Sequence, residues 1–464
     1  MPAIEFSTLD MAPPMNYSRP AANRIQQLVT VFSLFWLMAA NGVGILLATL
    51  LIWPEWNALL APLTYGRWIP LHMDWQLYGW CSLPLLGLTL SGFLNHERNG
   101  GHWTLLVLSL WSLSLMIGGV NWLEGNTTGK LFLNWSGFSG AFLTGTILAT
   151  WTTLAFGWIN RIKQRRTINE SRIELATKGV LLLLLLCVPA LLLYTSDPTI
   201  YPPVNPESGG ATGHSLLAST LGIVFLMGSL PKFVLKLEIR NPSREKSVSL
   251  VFWTIFAISI LIYSLIQHGD ASHHSIDQRL GLTSLLFWPP LVYLLWSHYI
   301  WNANSRFWRM FFYAWWGLLS FNGVGIFIPG VLDTLKFTNA LVAHSHLAMA
   351  GMVSCLNMLI LCELGSDSST IRVLCNRSAL LSWNTGCLVF VFAMTFQGWR
   401  EGNNPAVVFT ADQTTTLLYF LRLIAGLSMF IPSFYWFRAH TSGKYFKIQK
   451  RNRAAAAEPI LEHA

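Results

Sequence analysis

Residues 338–363 read TNALVAHSHLAMAGMVSCLNMLILCE, an apolar run that carries two histidines, His344 and His346, near its start. About 20 apolar residues are enough for a helix to cross the hydrocarbon of a bilayer, so this run predicts a transmembrane helix. Two positions along an α-helix differ by about 200° of rotation, so the two imidazoles leave opposite sides of it. Polar rings inside a membrane are costly, and we therefore expect each ring to bind something.

The rest of the chain has the same apolar character. Of its 464 residues 53% are hydrophobic and only 11% are charged, whereas soluble domains carry about 25% charged residues. The sequence therefore predicts an all-α integral membrane protein. We expect one membrane domain at 27–437, a cytoplasmic segment at 1–26 and a basic cytoplasmic tail at 438–464. Twelve apolar windows predict its transmembrane helices, near 27–52, 66–94, 103–121, 136–158, 176–195, 213–231, 247–268, 280–301, 308–330, 338–363, 378–397 and 414–437.

The distribution of basic residues predicts the orientation of these helices. Most of the 30 Lys and Arg residues fall in segments on the side of the N-terminus, including RIKQRRTINESR at 161–172 and KFVLKLEIRNPSREK at 232–246. Cytoplasmic loops of membrane proteins carry such an excess, so both termini are expected to be cytoplasmic. Topology thus accounts for the net charge of +9, and no nucleic-acid partner is expected.

Several histidines fall at one depth of the predicted bundle. Any one of them alone would be interpreted as a hydrogen-bonded core residue, but a layer of five favours ligands, because imidazole commonly binds iron, copper and zinc and is an axial ligand of haem. On this interpretation the opposed pair of the tenth helix binds two different haem irons. The five belong to four predicted helices and lie in their outer thirds: His72, His214, His268, His344 and His346.

Three arginines are candidate partners for the negatively charged propionates of haem. Arg422 lies within the twelfth predicted span, where a lone charge costs about 2.5–3.5 kcal/mol on insertion scales, so a partner is expected. Arg67 and Arg400 lie near helix ends. The alternative for these two is that their side chains reach the membrane surface.

The chain resembles the catalytic subunit of the haem-copper oxidase superfamily, and most closely the cbb-type branch. The resemblance extends over essentially all twelve predicted spans and implies that His72 and His346 ligate a low-spin haem. It also implies that His344 is the proximal ligand of a high-spin haem and that His214 ligates a second metal. Both haems are expected to be of b type. The motifs that carry the resemblance are YGRWIPLH at 65–72, GHSLLASTLGIVFLMGSLPK at 213–232, AHSHLAMAGMV at 343–353 and FQGWR at 396–400.

The chain departs from the family at the end of the seventh span, where the family has two adjacent histidines. Here the sequence reads YSLIQHGDASHHSID at 263–277. The remaining ligands of the second metal are therefore open among four residues, and a carboxylate ligand would favour iron over copper. Those four are His268, Asp270, His273 and His274. Tyr263 resembles the redox-active tyrosine of the family, the alternative being a structural tyrosine with a hydrogen-bonded hydroxyl.

The resemblance implies an oxidoreductase of the respiratory chain in the bacterial cytoplasmic membrane. As a terminal oxidase it would pass electrons from the low-spin haem to a site near the periplasmic side, where a high-spin haem and copper reduce dioxygen to water. A nitric oxide reductase with non-haem iron is the first alternative, and a non-catalytic haem-bearing electron-transfer subunit is the second. The chain has no CxxCH motif for covalent haem, so membrane-anchored subunits carrying cytochrome c or copper are the expected donors.

Overall fold

A computed structural model of the protein describes residues 20–164, 170–210, 216–266, 272–365, 368–410 and 412–442. These residues form a helical structure without strands, apart from one isolated bridge between Ile239 and Tyr299. Among them, nine helices are long and apolar enough to cross a membrane. The prediction of an all-α membrane protein is therefore confirmed at this level.

The helices used below are numbered in chain order. They are α1 Pro20–Ile52, α2 Tyr65–Leu94, α3 Gly100–Glu124, α4 Gly137–Lys163, α5 Arg172–Ser196, α6 Leu216–Ser229, α7 Pro242–Leu265, α8 Ile276–Ser284, α9 Trp288–Trp296, α10 Arg306–Ile326, α11 Val331–Leu335, α12 Asn339–Leu364, α13 Arg377–Asn403 and α14 Gln413–Thr441.

Three of the twelve predicted spans are not among the nine, so twelve crossings are not confirmed. The sixth contains α6, a described helix of only 14 residues. The eighth is divided into α8 and α9, because Pro289 and Pro290 lack the backbone N–H groups that would continue one helix. The ninth, α10, has 21 residues, but it carries Arg306, Arg309 and polar aromatic side chains and is less apolar than the nine.

Large apolar side chains are exposed on the periphery of the described bundle. Leu183 and Leu184 on α5 are 66% and 65% exposed, and Leu261 on α7 is 61% exposed. Many exposed apolar side chains of this size are unfavourable in water and typical of a surface that contacts a partner or a membrane. It agrees with helices that are long enough to span a bilayer.

Helix α12 lies at the centre of the bundle. It packs against α10 on one side and against α13 on another, while α14 packs against both α13 and α1, and α2 packs against α1. Hydrogen bonds also tie α12 to α2: Trp80 Nε1 donates to Ser354 Oγ at 2.8 Å, and Asn357 Nδ2 donates to the Trp80 carbonyl at 2.8 Å. Side chains on opposite sides of α12 therefore meet different neighbours.

Both α2 and α12 widen into a π-helical segment close behind a predicted ligand. In α2 the segment Trp75–Cys81 follows His72, and in α12 the segment Leu347–Val353 begins directly after His346. The two segments contact each other. π-helical turns are rare in proteins, and many of those known lie at functional sites. The two contacting segments therefore indicate a candidate site between the two histidines.

Candidate functional site

The imidazoles of His72 and His346 face each other between α2 and α12. Their ring centroids are 6.5 Å apart and their planes differ by 20°. Two imidazoles that bind one metal from opposite sides, each with a nitrogen about 2 Å from it, would have centroids roughly 6–6.5 Å apart. The spacing and the near-parallel planes therefore fit the predicted pair of axial ligands.

The two rings are held in the same way by the backbone. His72 Nδ1 donates to the Ala40 carbonyl at 2.8 Å, and His346 Nδ1 donates to the Val342 carbonyl at 2.8 Å. Because a carbonyl only accepts, Nδ1 carries the hydrogen in both rings, which leaves the lone pair on Nε2. Hydrogen bonds of this kind orient metal-binding histidines in known sites, so both rings are prepared to act as Nε2 ligands.

Both imidazoles line a cavity with a volume of about 360 Å³. The cavity lies between α1, α2, α12, α13 and α14. Apolar walls with a few polar groups are typical of cofactor sites. The apolar or small residues of the lining include Gly44, Leu47, Ala48, Ile69, Met73, Leu341, Val342, Met349, Ala350, Phe390, Gly426 and Met429, and the polar ones include Asn41, Gln76, Thr338, Ser345 and Arg422.

Arg422 places a positive charge at this cavity. Its side chain is only 8% exposed, its Nη1 lies 3.3 Å from Asn339 Oδ1, and its guanidinium carbon lies 5.4 Å from the centre of the Phe390 ring. Phe390 in turn stacks on His346 with centroids 3.9 Å apart. In the described part of the chain Arg422 forms no ion pair; Asn339 bridges it to Glu401. A buried cation in this position is suited to pairing with an anionic ligand.

The other two predicted arginines do not line the cavity. Arg400 forms an ion pair with Asp412 and donates to Thr415 Oγ1 at 3.1 Å. The hydrogen bond from the Thr415 backbone, with a further contribution from Arg400, lowers the pKa of Asp412 to about 2. The Arg67 guanidinium packs against Gly125 at the end of α3. Neither side chain is therefore brought to the imidazole pair.

His344 occupies the opposite side of α12, as its position in the helix predicts. Its Nδ1 donates to Asn322 Oδ1 of α10 at 2.7 Å. This bond leaves the lone pair on Nε2, as in the other two rings. The three histidines of α2 and α12 thus present the same nitrogen, and His344 and His346 do so toward different helices.

The residues predicted for the second metal are only partly described. His214, His268 and Asp270 lie outside the described residues, and Tyr263 is half-buried in the last turn of α7. Their roles stay predictions.

His273 and His274 are described, and the structure brings them to Glu207 and Asp333. The contacts described for the two rings do not include His344. Their role as ligands of the second metal likewise stays a prediction.

Sequence reasoning missed four residues that take part in these arrangements. A buried amide in a predicted span is costly, so Asn322 could have been singled out by its position. Phe390 looks like ordinary apolar packing in the sequence. Glu207 lies in the connection after α5 and Asp333 in the short helix α11, and neither carries a sequence pattern that separates it from other surface carboxylates.

Comparison with known proteins gives no assignment. No family model matches the chain, and no curated protein matches its sequence. The resemblance to the haem-copper oxidases therefore stays a prediction from the sequence motifs.

Proposed function

We propose that this protein is a haem-containing oxidoreductase of the bacterial cytoplasmic membrane and acts as the catalytic subunit of a respiratory terminal oxidase. The observation that carries the proposal is the facing pair of His72 and His346, whose centroids are 6.5 Å apart and whose Nδ1 atoms are both bonded to backbone carbonyls. That arrangement leaves two Nε2 atoms available in an apolar cavity, where the two residues would hold a haem; the b type is what the resemblance implies.

The described residues fit a haem in each of two positions. His72 and His346 would hold the first, and Arg422 would pair with a propionate in the same cavity. His344, oriented by Asn322, would hold the second on the other side of α12. Haem iron with two histidine ligands supplies one-electron transfer, and haem iron with a single histidine keeps a position open for a gas.

The chain itself contributes orientation and a fixed separation. The carbonyls of Ala40 and Val342 fix the tautomer of the facing rings, and the bonds from Trp80 and Asn357 hold α2 against α12. His344 and His346 are two residues apart on one helix, so the distance between the two sites is set by the helix rather than by a mobile loop. A rigid, apolar surrounding favours rapid electron exchange and limits the access of water.

The remaining parts of the proposal follow the resemblance. The second metal, copper in an oxidase, would be held by His214 with His268, Asp270 or the loop histidines, and Tyr263 would supply an electron and a proton to the reaction. Membrane-anchored subunits that carry cytochrome c or copper would donate electrons. The reaction site would lie toward the periplasmic face, with both termini in the cytoplasm.

One observation favours a second candidate, a non-catalytic haem-bearing electron-transfer subunit. His273 and His274 contact the carboxylates of Glu207 and Asp333 and are not described in contact with His344. The facing pair of His72 and His346 would be sufficient for this function, because electron transfer needs no second metal.

Turnover and metal content together test the proposal. The purified protein, reduced by an artificial electron donor, is expected to consume dioxygen and to contain one copper atom per chain. Consumption of nitric oxide with one additional iron atom would instead identify a nitric oxide reductase. Two haems without a further metal and without either turnover would identify the electron-transfer subunit, and a protein without haem would contradict all three.

Substitution of Gly44 tests whether the cavity wall positions His72. A Cβ atom at Gly44 would lie 2.8 Å from His72 Cε1, which is too close for both groups to stay in place. Gly44→Ala is therefore expected to displace the ring and to lower the affinity for the low-spin haem by about 10-fold or more, measured as haem occupancy after purification. Gly42→Ala on the same helix is the matched control, because its Cβ would make an ordinary 3.7 Å contact with Phe430. Equal occupancy in the two variants would contradict the assignment.

A further inference from the structure

A second group of ligand-type side chains lies away from the facing histidines. Glu207, His273 and His274 each offer one ligand atom, and these atoms all lie within 4.8 Å of one another. Glu207 belongs to the connection that follows α5, and the two histidines precede α8. The centroids of the two imidazoles are 3.9 Å apart. Two imidazoles and one carboxylate form a ligand set that suits zinc and related divalent ions.

His273 is oriented by a carboxylate in the way typical of metal-binding histidines. Its side chain is fully buried, and its Nε2 donates to Asp333 Oδ2 at 2.8 Å. The lone pair is then on Nδ1, a buried atom that has no hydrogen-bond partner among the described residues. Histidine ligands usually donate their other nitrogen to a carboxylate or a carbonyl, so Asp333 would be the orienting group and Nδ1 the ligand atom.

The charges around this group are compatible with a bound cation. Asp333 accepts a hydrogen bond from His273 Nε2 and lies 3.8 Å from His274 Nε2, so one carboxylate borders both histidines. Lys336 Nζ, 3.4 Å from Asp333 Oδ1, is the one Lys or Arg side chain in contact with that carboxylate in the described part of the chain. Lys336 therefore contacts the orienting carboxylate, and in the described residues Glu207 forms no ion pair with a Lys or Arg side chain.

We propose that Glu207, His273 and His274 form a binding site for a divalent ion of the zinc type, with water as the fourth ligand and Asp333 orienting His273. The site is separate from the cavity between His72 and His346, because the side chains of His274 and Glu207 are 60% and 48% exposed whereas the facing imidazoles line an interior cavity. Ligand atoms around tetrahedral zinc lie roughly 3.3–3.5 Å apart. The ligand atoms of the three residues lie within 4.8 Å of one another, and rotation of the exposed His274 and Glu207 side chains would bring them to this spacing. The inference does not depend on the proposed oxidase activity, and it leaves His214, His268 and Asp270 as the ligands of the second redox metal.

Zinc binding by the full-length protein tests this site. The protein, purified in detergent and treated with a chelator, is titrated with Zn²⁺, and bound zinc is measured by mass spectrometry and by X-ray absorption at the zinc edge. One zinc per chain with nitrogen and oxygen ligands is expected. His274→Ala and Glu207→Gln change exposed side chains and are expected to weaken binding at least about 10-fold, and Asp333→Asn about 10- to 100-fold.

The control is His102→Ala, which removes an exposed histidine of α3 and is expected to leave zinc affinity unchanged. Haem absorbance and redox-metal content are recorded for every variant, so failure of this site is distinguishable from failure of the haem assignment. Equal zinc binding by the wild type and His274→Ala would overturn the proposal. Loss of copper or non-haem iron in His274→Ala would also overturn it, because the two histidines would then belong to the second redox metal.

Discussion

His72→Ala is expected to abolish the low-spin haem spectrum while leaving a high-spin haem that binds gaseous ligands. The substitution removes one of the two paired imidazoles, so a haem iron bound in the cavity would no longer have two histidine ligands. Electron transfer through the cavity should fall by more than about 100-fold, beyond the range typical for loss of an orienting partner. Reduced-minus-oxidised absorbance and electron paramagnetic resonance of the purified variant measure the loss.

The matched control for this prediction is His440→Ala. His440 is also buried, and its Nδ1 donates to the Trp436 carbonyl one turn earlier at 2.7 Å, as His346 does to Val342. It does not line the cavity. The control should keep the low-spin band, and an unchanged low-spin band in His72→Ala would contradict the assignment of this residue.

Substitutions of His344 and His346 are expected to have opposite spectral effects. His344→Ala should remove the high-spin haem and its carbon monoxide difference spectrum while the low-spin band stays. His346→Ala should remove the low-spin band and leave the carbon monoxide spectrum. The reason is the rotation between the two positions, which directs His344 toward Asn322 of α10 and His346 toward His72 of α2.

Both substitutions should reduce dioxygen turnover to the background of the assay, because each interrupts the same path. Each variant carries one histidine-to-alanine substitution on the same helix, so each serves as the folding control of the other. If both variants lost the same haem, α12 would not separate two sites, and the proposed path would be wrong.

The central site was predictable because it depends on helical geometry. The spacing of His344 and His346 determines which sides of α12 they occupy, and the structure directs them to different helices accordingly. The pairing of His72 with His346 required a tertiary contact between α2 and α12. The sequence supplied it only through the predicted equal depth of the two residues and the family resemblance.

Other features depend on contacts that one sequence does not specify. Arg400 is a candidate propionate partner by its position in the sequence, but in the folded chain it forms an ion pair with Asp412. Proline pairs are visible in the sequence, yet whether they kink or divide a span depends on packing, and Pro289 and Pro290 divide one here.

The carboxylates near His273 illustrate the same limit at longer range. Asp333 lies 60 positions from His273, and Glu207 lies 65 positions from Ser272, which donates to it. Contacts over such separations between connecting segments follow from how the helices are arranged. No periodicity in the sequence encodes them.

An electron cryo-microscopy density map of the purified protein tests the central claim most directly. The account predicts planar, disc-shaped density in the cavity, with iron bound by Nε2 of His72 and Nε2 of His346 on its two faces and Arg422 beside a propionate. Density for lipid or detergent alone in that cavity, with the two imidazoles bonded to other groups, would contradict it.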